Sequence, residues 1–453
     1  MPAPRILAAT TGFILLAASA AAVALATAVR SSAMTAAVEV TPIEHVVIIY
    51  MENHSFNNVL GYLCVFDKRC DGTKTGKTSN GSIIPIAKGE DIIPIVDHSR
   101  PAQERAINGG AMNGFDLVAG CEAANGYKCY QGYQPYQIPN LAALARSFVI
   151  SDRTFQLDSV ASWAAHMELV TTHLNNYYGK NPYTGQVPPG PGWGCDSFKD
   201  TGWRASPSDP YKPQPACIPK PDGSGPYRPS PVQWTPTIMD RLDEAAVSWK
   251  IYATQKGQGQ CYCWSICPTF AECVYGPQIS NFVGQGAFVT HARAGTLPAF
   301  SILKPPADAS QHNTDSMQQG DNWIGDMLDE VMTGPDWTST AVFITYDDCG
   351  CFYDHVTPPA GLSIRVPMVI VSPYAKPGYT DSNVASFASM LAFTERVFGV
   401  EPVGTRDANA YDYWESFDFT QAPLAPIPMR QVPLPAWEVE WLAEHKADYE
   451  DAE

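Results

Sequence analysis

Six short apolar runs punctuate the chain: Ile43–Met51, Ser147–Asp152, Trp249–Ala253, Pro298–Leu303, Thr340–Asp347 and Val366–Ser372. They are continuous rather than alternating, which is the pattern of strands buried on both faces, as in a parallel sheet. Helical periodicity lies between them, over Pro139–Ser147, Ser162–Leu174, Pro236–Ser248, Ser316–Met332 and Asn383–Phe398. Strand–helix alternation predicts an α/β fold: a doubly wound, mostly parallel sheet with helices on both faces. Pro182–Pro236 breaks the pattern with 14 prolines in 55 residues, too many for a central strand or a long helix. It reads as an excursion pinned by Cys195 and Cys217. Gly72–Gly89 and Asn108–Gly132 read as further loop insertions. Ala422–Pro435 is a proline-rich arm, and Ala436–Tyr449 an acidic, weakly amphipathic helix on the surface.

The N-terminus has a different pattern. Arg5 precedes an uncharged run from Ile6 to Val29, 24 residues ended by Arg30. It reads as a secretion signal, or alternatively as an uncleaved membrane anchor, within residues 1–36. Ala26, Ala28, Ala33 and Ala36 offer cleavage sites, and there is no twin-Arg pair. One catalytic domain over 37–421 follows, then the arm and helix at 422–453. Export to the cell surface or medium makes disulfides the expected fate of the 12 cysteines. Cys64–Cys70, Cys121–Cys129 and Cys195–Cys217 are the local pairs. Spacing leaves Cys261, Cys263, Cys267, Cys273, Cys349 and Cys351 unassigned, with a metal cluster in 261–273 as the alternative.

Of 453 residues, 29 are Lys or Arg and 46 Asp or Glu, a net charge of −17. That balance argues against nucleic acid as a partner. It leaves open a small anionic substrate bound by local chemistry, and the ends of the predicted strands supply candidates, because ligands of open α/β sheets bind there. After the first run comes Glu52-Asn53-His54-Ser55-Phe56, and the fifth runs into Asp347-Asp348-Cys349-Gly350-Cys351-Phe352-Tyr353-Asp354-His355. Carboxylates leaving buried strands repel unless a cation lies between them. Glu52, Asp347 and Asp348, with the carbonyl oxygen of Asn53, would suit one divalent ion. The competing reading is solvated loop acids or helix caps.

These segments carry a resemblance. IEHVVIIYMENHSFNNVLGYL, ITYDDCGCFYDHVTPP and RVPMVIVSPYAKPGYTD with SFASMLAFTERVFGV resemble, in order, three motifs of the bacterial phosphoesterase family. That family includes phosphatidylcholine-type phospholipases C and an acid phosphatase, on a fold related to alkaline phosphatase. The resemblance runs from about Ile43 to Val400. It implies a divalent metal (Ca, Mg, Mn or Zn) and a Ser or Thr nucleophile opening a helix. Val160-Ala161-Ser162-Trp163-Ala164-Ala165-His166 fits that frame, with Ser162 as nucleophile and His166 one helical turn on. Taken alone, Ser162 reads as a helix N-cap. The motif's Gly-Pro and following Pro are replaced here, and Ser159 is the fallback nucleophile.

His312 corresponds to the family's His before a Gly-Asp helix, here Gly320-Asp321, where it would assist the leaving group. His98 resembles a phosphate-contacting position, and Asp354 and His355 form a further pair for substrate. His45 reads as structural, and His173 and His291 have no supporting pattern. The resemblance thus implies a secreted phosphoesterase acting through a phosphoserine. His54 stands where the family carries Arg, and few cations lie in the motifs, which leans towards a phosphodiester, with phospholipid at a transiently contacted membrane surface. A phosphomonoesterase is the alternative. So is a non-catalytic lipid- or surface-binding protein on the same scaffold, against which the retained Ser, His and acid set argues. Oligomeric state is not legible.

Overall fold

The computed structural model describes residues 41–185, 188–258, 261–446 and 449. The Ile6–Val29 run and its cleavage sites lie outside the described residues. No helix among the described residues is long and apolar enough to cross a membrane.

The core is an eight-stranded sheet. In chain order its strands are β1 (His45–Met51), β2 (Val149–Ser151), β3 (Trp249–Tyr252), β4 (Phe282–Val283), β5 (Phe300–Leu303), β6 (Thr340–Tyr346), β7 (Met368–Val371) and β8 (Thr380–Asp381). Their spatial order is β4-β3-β5-β1-β6-β7-β2-β8. The six apolar runs all form strands: each is short, mostly rich in β-branched or aromatic residues, and a strand buried on both faces satisfies its backbone by pairing along its edges. β1 is central and all but buried, flanked by β5 and β6 in parallel register.

Two features depart from the pattern. β7 runs antiparallel to both β6 and β2. The Asp347–Pro367 connection holds no helix, so it cannot make the crossover that a parallel return needs. The edge strands β4 and β8 are two residues each, too short to leave a pattern.

The main helices are α1 (Pro139–Ser147), α2 (Ser162–Thr171), α3 (Ile238–Glu244), α4 (Gly286–Ala294), α5 (Met317–Thr333), α6 (Phe387–Phe398) and α7 (Ala436–Glu444). α2 is buried along its whole length. It ends earlier than its periodicity suggests, where Thr172 turns left-handed (φ 60°) and returns its N–H to the Glu168 carbonyl. α6 starts later, at Ser386, whose side chain and that of Ser389 cap each other's backbone. Asp321 of α5 accepts the N–H groups of Asn140 and Leu141, capping α1 across the fold.

The proline-rich excursion packs inward. Its Asp200–Trp203 and Lys212–Pro215 strands pair, Trp193 and Trp203 are buried, and Cys195–Cys217 closes it. It is a cover, as its disulfide suggested, and the 422–435 arm is likewise bonded down onto α1 and α5 through Asn140 and Asn322. Cys64–Cys70 and Cys121–Cys129 also form, joined by Cys261–Cys263 and Cys267–Cys273. Those last two bonds replace the metal cluster considered for that stretch. Cys349 and Cys351 remain thiols and are buried.

Candidate active site

Three neighbouring strands end at the same level. The β1–β6 register pairs Met51 with Tyr346, so the next residues, Glu52 and Asp347, leave the sheet side by side. β5 pairs Leu303 with Ile49, which brings Lys304 to the same edge. Lys304 Nζ donates to Glu52 Oε1 at 2.5 Å and to the Tyr50 carbonyl at 2.6 Å. The sequence reading missed Lys304. Its position immediately after an apolar run is the same feature that exposed Glu52 and Asp347.

Asn53 turns the chain. Its φ of 57° is left-handed, a conformation Asn tolerates, and its N–H donates to Asp347 Oδ1 at 2.9 Å. The opposing loop is bent by Gly350, also left-handed, where a Cβ would lie 2.2 Å from the Asn53 carbonyl oxygen. Cys351 after it is left-handed as well, with φ 50°.

α2 brings the remaining groups. Ala161 is the N-cap, so Ser162 is the first helical residue rather than the cap. Its Oγ lies 3.4 Å from the Asn53 amide. One turn on, His166 Nδ1 donates to the Ser162 carbonyl at 2.6 Å, which turns Nε2 towards Glu52 Oε1 at 3.2 Å. Burial holds this imidazole down to about 3, so it is neutral and Nε2 offers a lone pair.

All of these groups are buried, with Ser162 1% and His312 6% exposed. Burial raises the Glu52, Asp347 and Asp348 carboxyls, Asp347 to about 6. Three carboxylates against the Lys304 ammonium leave two negative charges, the charge that one divalent ion would balance. Glu52 Oε2, His166 Nε2 and Asp347 Oδ2 are buried polar atoms with no hydrogen-bond partner. Glu52, His166 and Asp347 each offer one ligand atom within 4.8 Å of the others. Orphaned donors of this kind fit a metal.

Asn53 spans the site. Its amide lies between Asp347 Oδ1 (3.1 Å) and Asp348 Oδ2 (3.2 Å) on one side, and His98 Nε2 (3.1 Å) and His312 Nε2 (2.9 Å) on the other. His98 Nδ1 donates to the Val96 carbonyl at 2.9 Å. With its NH2 towards the acids, the amide donates to both carboxylates and its oxygen accepts from the two imidazoles.

The structure thus joins eight of the sequence-derived residues: Glu52, Asn53, His98, Ser162, His166, His312, Asp347 and Asp348. It places Asp354 and His355 elsewhere. Asp354 is ion-paired with buried Arg365 (3.1 Å) and accepts the N–H groups of Asn57 and Val356. His355 pairs with Asp71 at 2.9 Å. Ser159 bonds Ser363 at 2.7 Å, and His45 bonds the Pro298 carbonyl at the foot of β1, a structural position.

Residues 43–401 match the Phosphoesterase family, and the chain belongs to that family. It is 26% identical to a non-hemolytic phospholipase C of Pseudomonas aeruginosa, over 92% of this chain and 64% of that protein. It is 27% identical to phospholipase C A of Mycobacterium tuberculosis, over 44% of this chain and 46% of that one. To non-specific phospholipase C1 of Arabidopsis thaliana it is 23% identical, over 85% and 73%. The chain thus spans less than two thirds of the length of both bacterial relatives. Among solved structures it is similar to an alkaline phosphatase superfamily protein of Vibrio parahaemolyticus, at TM-score 0.36 and 12% identity, over 60% of this chain and 63% of that one.

Proposed function

We propose that the chain is an exported, metal-dependent phosphoesterase that cleaves a phosphodiester of the phospholipase C type through Ser162. The observation that carries this reading is the convergence of Ser162, Asn53 and His312 on one acid cluster at the ends of β1 and β6. Export is supported by the N-terminal apolar run and by five disulfides.

Glu52, His166 and Asp347 would hold the metal, with Asp348 and the Asn53 carbonyl oxygen beside them. When bound, the ion supplies Lewis-acid polarisation of the phosphoryl oxygen and favours the serine alkoxide. An imidazole among carboxylates favours Zn or Mn over Ca. Ser162 sits at the first turn of α2, whose N-terminal dipole favours an anion. Its hydroxyl proton would pass to the acid cluster, where Glu52 Oε2 has no hydrogen-bond partner. Attack then forms the Oγ–P bond as the P–O bond to the alcohol breaks, and His312 protonates the departing oxygen. Water hydrolyses the phosphoserine, with His312 now removing its proton. His98, bonded to Asn53, holds the amide that spans the two halves of the site.

A phosphodiester carries one negative charge and a monoester up to two. With three carboxylates lining the site and His166 neutral, the diester meets less repulsion, and a neutral phospholipid suits an acidic protein. The test compares an aryl phosphodiester, an aryl phosphomonoester and phosphatidylcholine vesicles, each with and without chelator. Wild-type protein should prefer the diester and lose turnover with chelator. Ser162→Ala should lower kcat at least ~1,000-fold, and Ser159→Ala should not. Retained turnover in Ser162→Ala overturns the nucleophile, and monoester preference overturns the substrate.

A further inference from the structure

The site is closed on one side by a residue from the far end of the chain. Beyond α7, Tyr449 directs its hydroxyl to Asp315 Oδ1 at 2.7 Å. Its ring meets Trp264 edge-on at 5.2 Å and His312 at 5.7 Å between centroids. Trp264 in turn lies 5.2 Å from His312. Its carbonyl rests 3.4 Å from Cys263 Sγ, beside the Cys261–Cys263 bond. The segment before it is anchored as well: Glu438 of α7 is buried beside Asp91 and Ser316, the N-cap of α5.

Two observations combine here. His312 touches Asn53 and His98 on its inner side, and Trp264 and Tyr449 on the other. Trp264 is buried, whereas Tyr449 is only partly so. An alcohol that reaches His312 from outside the acid cluster passes these two rings. Of the two, Tyr449 is not built into the sheet or its crossovers. Among the described residues it is held by its hydroxyl on Asp315, its carbonyl beside Cys263 and its ring packing.

We propose that Trp264 and Tyr449 form the leaving-group subsite, and that Tyr449 sets the size of the alcohol the site accepts. This rests on the phosphoesterase reading and on His312 as the group facing the leaving oxygen. The rings offer an apolar, aromatic surface, so the preferred alcohol is apolar and slim enough to pass Tyr449. Removing that ring widens the subsite while leaving Ser162 and the acid cluster as they are.

The test uses the full chain and two methyl phosphodiesters that differ only in the leaving alcohol, 4-nitrophenol or a fused four-ring aryl alcohol. In Tyr449→Ala the ratio of kcat/KM, bulky over compact, should rise about tenfold. Tyr449→Phe keeps the ring and should hold the ratio within about twofold. Tyr449→Leu keeps an apolar side chain against Trp264 and should move the ratio in the same direction by a smaller factor, so a folding failure of Tyr449→Ala does not decide the matter. A ratio unchanged in both Tyr449→Ala and Tyr449→Leu overturns the subsite. So does a Tyr449→Phe ratio equal to that of Tyr449→Ala. If the wild type turns over neither diester, the phosphoesterase reading falls first and the subsite with it.

Discussion

Lys304→Met tests the electrostatic account of the site most directly. The ammonium is buried, 2.5 Å from Glu52 Oε1 and 4.9 Å from the centre of the Tyr50 ring. At an effective dielectric of about 20, a pair at that distance is worth ~7 kcal/mol gross. Methionine also removes the cost of burying the ammonium, several kcal/mol, so the net loss should be about 3–5 kcal/mol. In a domain of this size that corresponds to a fall in Tm of about 3–6 °C. The assay is thermal unfolding followed by circular dichroism in chelator. Saturating divalent ion should recover part of the loss, because it supplies the missing positive charge. In a double-mutant cycle, Glu52→Gln should make Lys304→Met markedly less costly, with a coupling of about 2–3 kcal/mol. An unchanged Tm in chelator, or additive single mutants, would refute the claim that this lysine balances the acid cluster.

Other consequences are simpler to read. Alkylating the denatured but unreduced protein should label two cysteines, Cys349 and Cys351, and no others. Asp354→Ala should cost about 3–5 kcal/mol by stranding the buried Arg365 charge, with KM in the folded fraction unchanged; a raised KM at unchanged Tm would return Asp354 to substrate binding. Burial and the neighbouring Asp407 hold the Glu395 carboxyl up at about 9. The folded state thus keeps a proton that the unfolded chain releases above about 4.5, and stability falls as pH rises from there to about 9. Glu395→Gln should accordingly gain a few °C in Tm relative to wild type at pH 9 and little at pH 5, and equal effects at both would show the pair does not titrate.

Legibility followed the physics of each element. β1 and β6 were plain because a run buried on both faces needs no periodicity to be recognised. The direction of β7 is hidden because direction belongs to the connection, and a buried apolar run has the same pattern whichever way it runs. β4 and β8 are held by their neighbours' hydrogen bonds, so two residues suffice and no pattern forms. The early end of α2 at Thr172 is a backbone event with no residue-type marker, since no glycine stands there.

The candidate site divides along the same line. Glu52 and Asp347 were legible because local position after a strand is enough to place them, and the β1–β6 register then sets them side by side. Asp354 and His355 shared the motif but not the site. The chain turns after Cys351, and Asp354 meets Arg365, a cation 11 residues further along the same connection that no spacing rule brings near. Lys304 fails for the converse reason. A lysine after a strand reads as a solvated end until the sheet order β5-β1-β6 is known, and only that order makes it the counter-charge to Glu52. His166 shows a third case: the one-turn spacing from Ser162 was correct, but its use was not local. Its Nδ1 is tied to its own helix, so Nε2 is left for whatever β1 and β6 present. The helix thereby delivers the proposed nucleophile and the proposed ligand together, and displacing α2 would remove both. Helix placement, rather than any single residue, is therefore what couples the proposed metal to the proposed nucleophile.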